Sequence, residues 1–142
     1  MAGDLQMTIN GTQKTKCKSK IFLIEPAEEN MYMTTEPFIV GFAGDAGEII
    51  DLLDFFTHPE LYQKVPRVRN TQGLVLTQSK KIFQFTNPTN WVQINDKCAA
   101  IGSGSPYALG ALNVGASPKQ AVEAAAKSDP FSGGGIKVLS FA

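Results

Sequence analysis

At 142 residues, 43% hydrophobic and 18% charged, the chain fits one domain around a single core and falls outside the disordered and fibrous classes. Lys plus Arg equals Asp plus Glu at 13 each, so no basic excess steers the protein onto nucleic acid or an anionic bilayer. Cys17 and Cys98 lack zinc-ligand spacing, Met1 to Asn10 has no signal-peptide pattern, and no apolar run approaches the ~18 residues that span a bilayer, so the reading expects cytosolic, reduced thiols with no metal, cofactor or membrane.

Lys14, Lys16, Lys18 and Lys20 alternate, which on a strand would place all four on one solvated face. Ile21 to Ile24 reads as a buried strand that Glu25-Pro26 ends, and a loop follows. Phe38 to Ala43 is a second short apolar run, and Gly44-Asp45 then supplies a turn with an acidic position for a helix start. Ile49, Ile50, Leu52, Leu53 and Phe56 give an amphipathic helix over about Ala46 to Phe56. His58-Pro59 stops it, and the basic, Pro66-containing stretch to Asn70 reads as an irregular edge. Gly73 to Thr77 and Lys81 to Phe85 form a hairpin around Gln78-Ser79-Lys80, with further strands at Trp91 to Ile94 and Cys98 to Ile101.

Ser105-Pro106 has the grammar of a helix start, with the hydroxyl as cap, and the helix runs to about Leu112. Gly115 closes it in a left-handed conformation, and Ser117-Pro118-Lys119-Gln120 reads as a capping box opening a helix to Ala126 or Lys127. After Gly133-Gly134-Gly135, Ile136 to Phe141 returns as a strand. There is no βαβ alternation, so helices segregated outside antiparallel sheets are expected: an α+β fold.

Four segments together resemble a proteasome β subunit or its bacterial relative HslV. They are Met1-Ala2-Gly3-Asp4, Lys18 to Ile24, Val40-Gly41-Phe42-Ala43-Gly44-Asp45, and Ala100-Ile101-Gly102-Ser103-Gly104-Ser105-Pro106 coupled to Ser128-Asp129-Pro130-Phe131-Ser132-Gly133-Gly134. The resemblance covers the chain from end to end and is loosest between His58 and Asn70. It implies one proteasome-like domain over residues 1–142, a four-layer αββα sandwich of the Ntn-hydrolase type whose N-terminal strand is missing.

In that family the hydroxyl of an N-terminal threonine attacks a peptide carbonyl, and its free α-amino group takes the proton. The resemblance makes Lys20 the ammonium that helps the hydroxyl ionise and Asp4 the carboxylate that holds the lysine. Gly41 N–H would face the oxyanion, and Ser103, Asp129 and Ser132 would form the hydrogen-bonded shell around the amine. Taken singly, these residues have plainer readings as solvated charges, turn residues and loop anchors, and Ser105 is better assigned to capping.

The family pattern puts its threonine well ahead of the aspartate, whereas Asp4 has three residues before it. Thr8, Thr12 and Thr15 lie on the wrong side of Asp4, and a Cys17–His58 pairing does not suit the fold. Three readings follow. The first is a non-catalytic descendant that assembles into a homo-oligomeric ring with a structural role, meeting a partner ring or virion proteins, in the cytoplasm or in a phage particle. The second is an ATP-dependent threonine peptidase subunit whose threonine segment is absent from this chain. The third is a monomeric peptide-binding module.

Overall fold

The computed structural model describes residues 1–9, 13–26 and 34–141. In chain order the elements are β1 (Ala2–Asp4), β2 (Gln6–Ile9), β3 (Gln13–Lys16), β4 (Ile21–Ile24), β5 (Phe38–Ala43), α1 (Ala46–Thr57), a 3₁₀ turn (Pro59–Leu61), β6 (Gln72–Thr77), β7 (Ile82–Asn87), β8 (Asn90–Ile94), α2 (Ser105–Asn113), α3 (Pro118–Ser128) and β9 (Ile136–Val138). Thr12, and most of the loop expected after Pro26, lie outside the described residues.

Strands β4 to β8 form one five-stranded antiparallel sheet in sequence order. The period of two along β5 puts Phe38, Val40 and Phe42 on one face, and the register sets Val40 against Val75 of β6. That face meets Leu52, Phe55 and Phe56 of α1, with Phe85 and Trp91 closing the cluster. Phe38, Val40, Leu52 and Val75 are wholly buried, each worth roughly 1.5–3 kcal/mol of apolar burial.

Helix α1 starts because the Asp45 carboxylate accepts from the Glu48 N–H at 3.0 Å, satisfying an orphan donor. Its buried stripe differs from the expected one at two positions, losing Ile50 and gaining Phe55. Ile49, Leu52, Leu53 and Phe56 face the sheet with Phe55, while Ile50 is 68% exposed because it falls outside the i, i+3, i+4, i+7 series. Gly44, with φ +144°, makes the turn into the helix, and a Cβ there would lie 2.0 Å from the Asn70 carbonyl.

The hairpin between β6 and β7 turns through Gln78-Ser79-Lys80 as expected, with Lys80 left-handed at φ 67°. Across this pair Gly73 sits opposite Phe85, whose ring fills the place of the missing side chain, 2.1 Å from any Cβ built there. The same ring stacks on Trp91 at 15° and 6.0 Å between centroids.

The four-layer αββα sandwich is not what the structure shows. Besides the five-stranded sheet, the described strands make only two separate two-stranded ribbons, β1–β9 and β2–β3, accompanied by three α-helices. The ribbons fail to merge because the chain bends at Leu5, whose N–H reaches the Gly133 and Gly135 carbonyls, both at 3.0 Å. Three successive positive-φ glycines, 133 to 135, carry the chain across the start of β2 there instead of extending β9 beside it.

Three local expectations also change. Cys98 to Ile101 is not a strand: the five-stranded ladder ends at β8, and these small residues lead into α2. The last strand spans only Ile136–Val138, prolonged by one residue where Met1 and Leu139 exchange two hydrogen bonds of 2.7 and 2.9 Å. Ser105 is the first helical residue rather than the cap; Gly104 holds that position without a side-chain bond.

The second capping box forms as read, with Ser117 Oγ accepting from Gln120 N at 3.2 Å and Gln120 Oε1 from Ser117 N at 2.9 Å. Gly115 is left-handed at φ +96°. Of the alternating lysines, only Lys14 and Lys16 lie on a strand; the chain leaves β3 before Lys18, and Lys20 turns toward Asp4. Among the described residues, no helix is long and apolar enough to cross a membrane.

Candidate functional site

Helices α2 and α3 pack on each other through Ala108, Ala121 and Ala125, and α3 lies against β1 and β9. Between this unit and the sheet face turned from α1 runs a cleft of about 1500 Å³, whose lining includes Ile21, Leu74 and Leu76 on one side and Ala108 and Ala121 on the other. It exceeds the ~300–1,000 Å³ of ordinary small-molecule pockets. Asp4, Lys20, Gly41, Ser103 and Ser132 all line it.

The candidate residues fall into two groups. Lys20 Nζ donates to Asp4 Oδ1 at 2.8 Å, and the other carboxylate oxygen accepts from Gly133 N at 2.7 Å. The pair bridges two separate sheets: β1, opposite β9, carries Asp4, and Lys20 immediately precedes β4. The side chains are 15% and 26% exposed, so the pair is partly shielded from solvent.

The second group centres on Asp129, which terminates α3 and is 6% exposed. Its Oδ2 accepts from Ser103 Oγ at 2.5 Å and Ser132 Oγ at 2.6 Å, and its Oδ1 from Phe131 N at 3.2 Å. Burial pushes this carboxyl upward, but the hydrogen bonds from Ser103, Ser132 and Phe131 and the charge of Lys14 outweigh it and hold it below its ordinary value. The carboxylate is therefore ionised and fully engaged at neutral pH.

Gly41 is brought to the cleft but its amide is not. Phe42 N donates to the Lys20 carbonyl at 3.0 Å and Gln78 N to the Pro37 carbonyl at 3.0 Å. These bonds fix the alternation of the ladders on both sides of β5 and turn the Gly41 N–H toward Leu74 of β6. Met1 Sδ would be 3.1 Å from a Cβ on Gly41, so the thioether lies over this position. Cys17 lines the cleft and His58 does not; the imidazole stands at the end of α1, 3.6 Å from Glu60.

Sequence reading missed two features beside the cleft. Gln6 is nearly buried and donates from Nε2 to the Pro130 carbonyl at 2.9 Å, tying β2 to the loop after α3; nothing in the sequence around Gln6 signals this. Glu48 accepts from Arg69 N at 2.8 Å, Asn70 N at 3.0 Å and Thr71 Oγ1 at 2.7 Å, clamping that segment to the start of α1. Hydrogen bonds from the Thr71 hydroxyl first, then from the backbone, lower the Glu48 carboxyl below its usual range. Its place three residues after an N-cap Asp was the available signal, although the side chain turns outward instead of closing a capping box.

No family model matches the chain, and no curated protein matches it. Solved structures do. The BPH protein of Thiobacillus denitrificans superposes with a TM-score of 0.68 at 20% identity, over 96% of this chain and 88% of that one. Anbu from Hyphomicrobium sp. strain MC1 gives 0.66 at 14% identity, over 95% and 73%. Anbu of Yersinia bercovieri, titled an ancestral beta-subunit, gives 0.66 at 11% identity with the same coverage, 95% and 73%.

At these identities the likeness shows a shared fold alone. The assignment to the family of proteasome β subunits and HslV is corrected accordingly: the likenesses are to BPH and Anbu chains, and no family model supports the narrower membership.

Proposed function

We propose that this protein is a non-catalytic subunit of a homo-oligomeric ring, with a structural or assembly role. The carrying observation is the closed hydrogen bonding of the cleft. Both serine hydroxyls donate into Asp129, a carboxylate held below its ordinary value and so a weak base, and Lys20 is bound to Asp4, so the polar residues satisfy one another rather than activating a nucleophile.

Assembly is favoured by the outer surface. Val114 is 86% exposed, Leu61 71%, and Val92, on the edge strand β8, 67%. Edge strands with apolar side chains invite partners, and heterologous faces close into rings. The Yersinia bercovieri likeness is itself titled a subunit. The setting would be the cytoplasm or, for a phage-encoded protein, the virion.

Light scattering on size-fractionated protein at micromolar concentration tests the assembly: a discrete multiple of 15.3 kDa is expected, and a clean monomer would overturn it. Incubation with a hydroxyl-directed peptide electrophile and intact-mass measurement tests the rest. No adduct is expected; a stoichiometric one sinks the non-catalytic reading.

One observation favours a second reading. Lys20, Asp4, Ser103 and Ser132 line one cleft, with Asp129 bonded behind both serines, as a threonine peptidase would require if the nucleophile came from a segment outside this chain. N-terminal sequencing of the protein purified from its native source separates the two: a mature chain opening on threonine ahead of Ala2-Gly3-Asp4 selects the peptidase.

A further inference from the structure

A second concavity lies away from the Asp129 cluster. It is an open groove of about 300 Å³ between the segment Val65-Pro66-Arg67-Val68-Arg69 and the turn Thr86-Asn87-Pro88-Thr89, and it shares Val68, Arg69, Thr86 and Asn87 with the lining of the main cleft. Val68 packs against the main core, while its neighbours Arg67 and Arg69 are both exposed and both line the pocket. Neither guanidinium has an ion-pair partner among the described residues, and no carboxylate lines the pocket.

Both walls are held. Glu48 accepts from Arg69 N and Asn70 N, which fixes the arginine backbone; its oxygens are occupied by these bonds and by Thr71, and it faces Arg69 from α1 without pairing with it. On the opposite wall Pro88 is fully buried, and its carbonyl accepts from Trp91 Nε1 at 3.0 Å. Asn87 Oδ1 accepts from Thr89 N at 3.1 Å and Thr89 Oγ1 at 2.9 Å, which leaves the Asn87 amide N–H groups as the donors still open.

We propose that this pocket binds the phosphate group of a small phosphate monoester. Two planar guanidinium forks offer paired donors to a dianion with three oxygens, and the asparagine amide adds another. The volume sits at the lower end of small-molecule sites and leaves room for a group attached to the phosphate. The backbone at Arg69 and the turn at Asn87 are tied to the fold, so ordering on binding falls mainly on the two exposed arginine side chains.

The test is an NMR titration of the intact protein with inorganic phosphate and with glycerol phosphate, against chloride at matched ionic strength. Saturable shifts are expected at the amides of Arg67, Val68, Arg69, Thr86, Asn87 and Thr89, with glycerol phosphate binding tighter than phosphate. The double variant Arg67→Gln/Arg69→Gln should weaken binding by about tenfold or more, whereas Lys64→Gln, just outside the lining, should stay within about twofold. Loss of spectral dispersion would reveal a misfolded variant, and the unaltered protein still decides. Non-saturating shifts, equal shifts with chloride, or undiminished binding in a folded double variant would each overturn the proposal.

Discussion

The two sides of the cleft are built on different principles. On the α1 side, ten buried residues, seven of them large aromatics or leucine, interlock: Phe38 meets Phe56 edge-on at 5.9 Å and Trp91 at 5.1 Å. On the other side three buried alanines let α2 and α3 approach closely, while polar contacts, the capping box and the Asp129 cluster, do much of the holding. Aromatic burial is strong and insensitive to pH; close alanine packing with charge-assisted bonds is weaker and depends on ionisation. The second unit carries Asp4, Ser103, Asp129 and Ser132, while Lys20 and Gly41 belong to the sheet, so most of the candidate chemistry sits on the softer half.

The sharpest break in that contrast is Phe38→Ala, which removes a wholly buried ring and should cost about 3–5 kcal/mol by urea unfolding. Ala125→Leu tests the opposite side by overfilling it. Its Cβ already lies 3.0 Å from where a side chain on Gly104 would begin, so a loss of about 1–3 kcal/mol is expected, with the α2 and α3 amides exchanging faster while those of β5 stay protected. Ser117→Ala dissolves half of the capping box and should cost roughly 1 kcal/mol, again confined to α3 in hydrogen exchange.

The most specific test lies in the pH dependence. Asp129 is held below its ordinary value of 3.8, so its carboxylate stabilises the fold in full above that value, and the contribution is lost as pH falls through the lower folded value. In Asp129→Asn the acid limb of the stability profile should flatten below about pH 4, read by Trp91 fluorescence in urea at stepped pH. An unchanged acid limb would mean the carboxylate adds no ionisation-linked stability.

Most elements were legible because local rules and tertiary packing agree. The helix after Asp45, the Gln78–Lys80 hairpin and the Ser117 capping box each follow from residues within one turn of chain. What failed was long-range. Ile50 looked buried by composition, and only the angular position of the stripe excludes it. Cys98 to Ile101 looked like a strand, but it pairs with no strand of the ladder, which ends at β8. The layering failed because ribbon joining is decided at Leu5 and Gly133 to Gly135, where the chain crosses instead of pairing.

The candidate residues were legible as a set, through a resemblance spanning four segments, and the structure brings Asp4 to Lys20 and Ser103 and Ser132 to Asp129. The direction of the Gly41 amide was not, because which side of a strand an N–H faces is set by the ladder register and leaves no trace in residue type.

Gly73 gives the five-stranded sheet a built-in reporter. Since the Phe85 ring occupies the space a side chain there would need, and lies flat on the indole of Trp91, adding a single methyl group at position 73 must displace a stack of two rings reaching across to the last strand. The lone tryptophan thus registers, in the colour of its emission, how tightly the centre of the sheet is closed.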